Sequence, residues 1–314
     1  MKYDLTQARK CIETLDKRRF DRALLGSGDA FRHIVSLVPL LLHLNHPALP
    51  GYVEDAPAGI ADFILSNYQQ NFLSKEHPEL VEDVQSAVNS DAVFAPILGI
   101  YVMGSFGSIS QTSASDLDIW ICHQDDLSEQ DQQRLAEKTK KISLWASTFH
   151  VEMHFYLMTQ KRFRNERYSD PLTKENSGSA QYMLLLEEFY RSAVRLSGKP
   201  LLWLHLWVED EKQYEAEVSR LVEAGELDPN DWVDFGGLGQ FSASEYFGAS
   251  LWQLYKGIDS PYKSVMKILL LETYAQEYPN AHLIARQFKE DLLSGRSTAA
   301  HHFDPYIAIL ERIS

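Results

Sequence analysis

Two aspartates separated by one residue, Asp116 and Asp118, are the side chains in this sequence best arranged for chemistry. Alternate residues of an extended strand share a face, so both carboxylates point the same way, with Cα atoms about 6–7 Å apart. Carboxylates so spaced can hold one hard divalent cation, or share two, through oxygen ligands. The residues before them suit an anionic ligand. Gly104 lets the backbone approach a ligand closely, and Ser105, Ser108 and Ser115 add hydroxyls to a run of small residues. Backbone N–H groups in such a run form a nest that fits a triphosphate. A third acid, Glu152, lies on a later extended stretch, with His150 and His154 on its face. Three acids on adjacent strands would make a two-metal site. An isolated D-x-D is commonly a solvated strand end; the Gly104-Ser105 turn and Glu152 lift this one above that reading.

Phosphate also calls for cations, and these must come from elsewhere. Lys199 follows Gly198, and Lys263 and Lys267 share one helical face at i and i+4. Arg191 and Arg195 have the same spacing, but ion pairs with Glu187 or Glu188 are their better use. Trp120, just beyond the acids, reads first as core and second as a neighbour of a bound base.

The elements that must position these residues follow from periodicity. Residues 96–103 read as a buried strand, 104–115 as a turn or loop, 116–122 as a second strand and 151–158 as a third. Residues 128–148 form a charged amphipathic helix with Ser128 as N-cap. The order strand, turn, strand, helix, strand is an α+β or α/β core. Before it, residues 5–44 are helical with a break at 26–29, 46–59 are a Pro/Gly-rich loop, and 60–88 are polar and helix-like. After it come a polar loop (162–178), a helix (180–196) stopped by Gly198, and a strand (201–208). Helices then run over 212–224, 244–256, 261–277 and 281–293.

Composition bounds the partners. The 314 residues suit two domains, or one core with appendages, and 45% are apolar. The net charge of −14 disfavours extended nucleic-acid binding yet allows a small anionic ligand in a locally positive pocket. No run of about 18 apolar residues spans a membrane, and the N-terminus does not read as a secretory signal. Two cysteines, Cys11 and Cys122, exclude a disulfide scaffold and point to the cytoplasm.

The pattern Gly104-Ser105, Asp116-x-Asp118, then a later acid, is similar to the DNA polymerase β nucleotidyltransferase superfamily. A wider set of segments is more specific. MGSFGSISQTSASDLDIWICHQ (residues 103–124) resembles the signature of the class I adenylate cyclases of γ-proteobacteria. So do DRALLGSGDAF from Asp21, LVPLLLHLNHP from Leu37, EEFYR from Glu187, VRLSGK from Val194 and EYFGASLWQLYKGIDSPYKSVMKILLLE from Glu245. The segments run nearly the length of the chain in the family's order. Ser110 departs from a position where the family commonly has Gly.

The resemblance implies a lyase that converts ATP to 3′,5′-cyclic AMP and pyrophosphate. Asp116, Asp118 and Glu152 would be its catalytic metal ligands, for two Mg²⁺ ions that Mn²⁺ can replace. Gly104 and Ser105 would lie on the triphosphate, and Ser108, Ser115, Lys199, Lys263 and Lys267, read from the residues themselves, join them as candidates for binding the substrate. It implies an α+β fold with a small mixed sheet. Residues 1–90 would be helical and pack on the core, 91–209 would be the nucleotidyltransferase core, and 210–314 a mostly helical domain closing the cleft. The family's regulatory C-terminal half is expected to be absent from this chain. Two other readings stay open from the residues alone: nucleotide transfer to a separate acceptor, and a non-catalytic nucleotide sensor.

Overall fold

A computed structural model describes residues 5–81, 84, 95–113, 115–165, 182–294 and 302–314. Two N-terminal helices, α1 (Leu5–Leu25) and α2 (Asp29–His43), meet at the expected break, and α3 (Asn67–Glu76) follows behind a Ser66 capping box. Then come β1 (Ile97–Met103), β2 (Leu117–His123), α4 (Glu129–Ser147), β3 (Met153–Met158), α5 (Gln160–Asn165), α6 (Tyr182–Ser192) and β4 (Val194–Gly198). The C-terminal part is helical: α7 (Tyr214–Glu223), α8 (Ala243–Lys256), α9 (Pro261–Gln276), α10 (Ile284–Leu293) and α11 (Pro305–Ile313). No helix among the described residues is long and apolar enough to cross a membrane.

The four strands form one mixed sheet in the order β3-β2-β1-β4. β1 runs antiparallel to β2 and β4, while β2 and β3 are parallel, joined by the α4 crossover. This is an α+β architecture. Ser128 caps α4 by accepting from the Asp131 N–H at 3.1 Å, which satisfies a donor that has no partner in the first turn.

Alternation along the strands sorts the sheet into two faces. Ile100, Val102, Leu117, Ile119 and Ile121 pack on one side with α2 and with Leu135 and Ile142 of α4. Tyr101, Met103, Trp120 and Cys122 pack on the other, against Phe189 and Tyr190 of α6 and Trp203. Asp118 shares the parity of Trp120 and so belongs to this second side. Trp120 is buried and stacks on Phe189 with ring centroids 4.1 Å apart, so its core reading holds. A third cluster joins α8, α9 and α11 through Ala249, Leu270, Tyr274, Tyr306 and Ile309.

Two expected elements differ. The helix expected over 180–196 ends at Ser192, and residues 194–198 are a strand instead. They pair with the free edge of β1, matching Gly99 to Gly198 and Ile100 to Ser197, so sheet hydrogen bonds override a helical pattern. The strand expected over 201–208 is a 3₁₀ turn, Leu202–Leu204, with one bridge from Leu201 to Val233. Its apolar run fills the core from several sides, and such short runs do not distinguish strand from other buried backbone. α11 was not expected. Most of the loop expected over 162–178, and the end of the segment 60–88, lie outside the described residues.

The turn after β1 is clamped by α1. Arg19 Nη2 donates to the Phe106 carbonyl at 2.8 Å. Gly107 has φ +64°, and a Cβ there would lie 2.2 Å from the Arg19 carbonyl oxygen. Gly107→Ala combines a disfavoured φ with a clash against rigid helix backbone. It is expected to destabilise the fold by about 2–4 kcal/mol, read as a fall in the urea midpoint. An unchanged midpoint would mean that the α1 contact is dispensable.

Candidate active site

The site assembles where β1 ends and β2 begins. Their antiparallel register sets Met103 opposite Asp118, so the connecting turn lies directly before the two aspartates. Gly104 opens the turn with φ +82°, and a Cβ on it would meet nothing within 4 Å. Its glycine is therefore required by the backbone angle, and the space above it is open. The Gly104 N–H is already engaged, donating to Ser192 Oγ at 3.1 Å. Ser108 is buried and donates to the Ser105 carbonyl at 2.7 Å, so its hydroxyl shapes the turn from within. Ser115 accepts from the Thr112 N–H at 3.0 Å, which closes the far end.

Lys263 reaches this turn from α9. Its Nζ donates to Ser105 Oγ at 3.2 Å and to Ser115 Oγ at 3.3 Å, bridging both ends of the loop. Burial holds the Lys263 ammonium below its usual value, partly offset by the charges of Asp116 and Asp118. Lys267, one turn further along α9, pairs with Glu188 of α6 at 2.6 Å. Burial disfavours its charge, but Glu188 outweighs that and raises it above its usual value. Glu188 is likewise opposed by burial, yet Lys267 and Arg191 hold its carboxyl below its usual value.

Asp118 is recessed in this setting. Its carboxyl is pushed up to about 6, first by burial and then by the like charge of Asp116, against weaker opposing effects of His154 and Lys267. Tyr156 donates to Asp118 Oδ1 at 3.3 Å. Burial and the like charge of Asp116 thus outweigh the positive charge nearby, an electrostatic condition that a bound cation relieves. The donor set also fits a hard ion: carboxylate oxygens at the entrance and second position of β2, with open space above Gly104 in the adjoining turn.

Glu152 is placed differently. The parallel register sets Leu117 beside Met153 and Asp118 beside His154, so the residue flanking Asp118 on β3 is a histidine. Glu152 lies just before β3 with its side chain 74% exposed, meeting His154 Nε2 at 3.2 Å. Among the described residues, no three His, Cys, Asp or Glu side chains converge as a metal-holding group. Glu152→Gln is therefore expected to change kcat/KM for the proposed reaction by less than about tenfold. A loss matching that of an Asp118 variant would restore Glu152 to the ligand set.

Lys199 is also distant. Its backbone N–H donates to the Leu98 carbonyl, beside the Gly99–Gly198 pairing. That is the opposite end of β1 from Gly104, five residues or roughly 17 Å away along the strand. The structure thus brings together Gly104, Ser105, Ser108, Ser115, Asp116, Asp118, Lys263 and Lys267 and leaves Lys199 apart, while Glu152 stands at the entrance of β3, its carbonyl accepting from the Leu117 N–H at 3.0 Å beside Asp116 and its exposed carboxylate turned to His154. Arg191 pairs with Glu187 at 2.9 Å inside the core, whereas Arg195 meets Glu13 at 3.3 Å rather than either expected acid. Tyr156, Glu188 and Ser192 join the site without having been singled out for it. The alternation of β3 could have revealed Tyr156, which shares parity with His154; the other two depend on how α6 docks.

The frame and the site are those of an α+β protein with an acidic pair facing a lysine-bridged turn. The family description "Adenylate cyclase NT domain" matches residues 4–204, and "Adenylate cyclase, class-I, second domain" matches residues 241–314. The chain belongs to the class I adenylate cyclase family. It is 67% identical to the adenylate cyclase of Haemophilus influenzae, over 100% of this chain and 38% of that protein. It is 62% identical to the adenylate cyclase of Pasteurella multocida, over 99% of this chain and 37% of that protein. The Escherichia coli K12 adenylate cyclase is 44% identical, over 96% of this chain and 35% of that protein. The chain thus spans little more than a third of the length of these curated relatives. No solved structure matches it.

Proposed function

We propose that this chain converts ATP to 3′,5′-cyclic AMP and pyrophosphate at the Asp116/Asp118 site. The observation that carries the reading is the Lys263 bridge to Ser105 and Ser115, directly before the acidic pair. Negative carboxylates for a cation and a positive ammonium for phosphate stand on the two sides of one open turn. Family membership narrows the chemistry to cyclisation, where the substrate's own 3′-hydroxyl is the nucleophile. The same geometry would serve transfer to a separate acceptor, and that remains the second reading.

Asp116 and Asp118 would hold Mg²⁺, with Mn²⁺ able to replace it. Mg²⁺ is commonly held by one or two carboxylates together with substrate phosphates, so the pair suffices without a third acid. When bound, the ion supplies Lewis-acid polarisation and neutralises phosphate charge. A second ion would draw on Glu152, whose exposed carboxylate would have to turn from His154 toward the neighbouring Asp116.

The chain's own residues have defined tasks. Lys263 exchanges two hydroxyl partners for phosphate oxygens, gaining charge-assisted bonds in place of neutral ones. Ser105 and Ser115, released from it, turn to the same oxygens. Gly104 admits the phosphate chain close to the backbone. Lys267, held by Glu188, adds positive charge near Asp118. Because nucleophile and electrophile share one molecule, the protein's work is largely to hold an in-line pose.

The sheet order and the acids at the start of β2 support a polymerase β-like core over 91–209, with helical regions before and after it. Two free thiols, Cys11 and Cys122, suit a reducing cytoplasm. The deciding test is incubation with ATP and Mg²⁺ alone, with products separated by chromatography. Cyclic AMP with pyrophosphate is expected. Turnover only after an acceptor is added would establish transfer, and binding without turnover would establish a sensor.

A further inference from the structure

α8 and α9 turn an apolar face to solvent. Phe247, Leu251 and Leu254 recur at helical spacing on α8, Ile258 continues the stripe just past its end, and Tyr262 and Val265 extend it on α9. Ile258 is 79% exposed and Tyr262 87%. The stripe lies opposite the residues through which each helix reaches the core, Ala249 and Trp252 on α8 and Leu271 and Tyr274 on α9. Singly exposed apolar residues are ordinary, but a continuous stripe across two packed helices marks a contact surface.

We infer that this face pairs with the same face of a second copy of the chain. Two observations select that occupant. The six residues together expose roughly 750 Å² of surface, side chain and backbone included, of the order of the ~800 Å² that each partner of a standard stable interface buries. The chain carries a net charge of −14, which makes its copies repel, yet residues 246–262, which bear most of the stripe, hold one acid, Asp259, and one base, Lys256, and are locally neutral. The apolar stripe therefore sits where repulsion between copies is weakest. A helical hairpin is also suited to two-fold pairing, because one stripe can meet its own symmetry mate as an antiparallel helix layer. Lys263 and Lys267 project from the inner side of the same α9, so pairing would brace the helix that carries them.

Sedimentation velocity of this chain from ~1 to ~100 µM tests the inference. A dimer of about twice 35.9 kDa is expected, with a Leu254→Glu, Ile258→Glu double variant monomeric and its far-UV circular dichroism unchanged. Tyr262→Glu, on the other helix, is expected to raise the dimer dissociation constant at least about tenfold, and it serves as the readout should the double variant lose its helical signal. A chain that stays monomeric throughout, or variants as dimeric as the parent, would overturn the proposal. So would a monomer that co-sediments with phosphatidylcholine vesicles in a Leu254- and Ile258-dependent way, since the face would then be a lipid-contact surface.

Discussion

Asp118→Asn is expected to lower kcat for the proposed cyclic AMP formation by at least about a thousandfold while the protein remains folded. The loss corresponds to several kcal/mol of charge stabilisation at the reacting phosphates. Asparagine keeps the shape of the side chain and can still accept from Tyr156, but it removes the negative charge. The fold does not need that charge. Burial and Asp116 both disfavour ionised Asp118, pushing its carboxyl up to about 6. The thermal midpoint of the variant without ligand is accordingly expected to equal or exceed that of the parent, the usual sign of a site held for function at a cost in stability. Initial rates with ATP and Mg²⁺, beside a thermal melt, make the check. Near-native turnover in a folded Asp118→Asn protein would remove the metal assignment.

Lys263→Ala is the second large effect. The ammonium bridges Ser105 and Ser115 when no ligand is bound, at 3.2 and 3.3 Å, so its removal deletes a charge and slackens both ends of the turn. A fall in kcat/KM of about ten- to a hundredfold is expected, the range of one or two charge-assisted bonds. Lys263→Arg should recover part of it, because the charge returns while the compact ammonium is replaced by a planar fork. A double variant with Ser105→Ala should cost less than the sum of the two single losses, since the residues share one contact. If the ATP Michaelis constant and turnover of Lys263→Ala match the parent, the lysine is a structural bridge and the phosphate site lies elsewhere.

The parts of this site written over short stretches were readable in advance. β1, β2 and β3 are short, nearly continuous apolar runs, and Ser128 marks the start of α4 by a local cap. The break between α1 and α2 lies at the glycines that suggested it. Other features depended on register and docking, which no local pattern encodes. Whether Glu152 stands beside Asp118 is set by how β3 aligns with β2, and the alignment delivers His154 instead. Lys199 follows a glycine at the end of an apolar stretch, but residues 194–198 became an edge strand, which carried the lysine to the far end of β1. The partner of Lys267 is Glu188, distant in sequence and joined only where α9 meets α6. Lys263 and Lys267 share a helical face at i and i+4, yet one bridges two hydroxyls and the other is locked in an ion pair, a division of labour set wholly by their surroundings.

Asp304 joins three parts of the molecule through one carboxylate. Oδ1 caps α11 by accepting from the Tyr306 and Ile307 N–H groups, while Oδ2 accepts from the Ile109 N–H at 2.8 Å and meets Arg22 of α1 at 2.8 Å. The acid itself is buried. The C-terminal segment therefore supplies part of the support for a loop encoded nearly two hundred residues earlier. Neither matched family segment can lose its structure without exposing unpaired charge or backbone in the other. Unfolding should accordingly appear as one cooperative transition across the two, and a nick in the polypeptide between residues 204 and 241 should leave the pieces travelling together under native conditions.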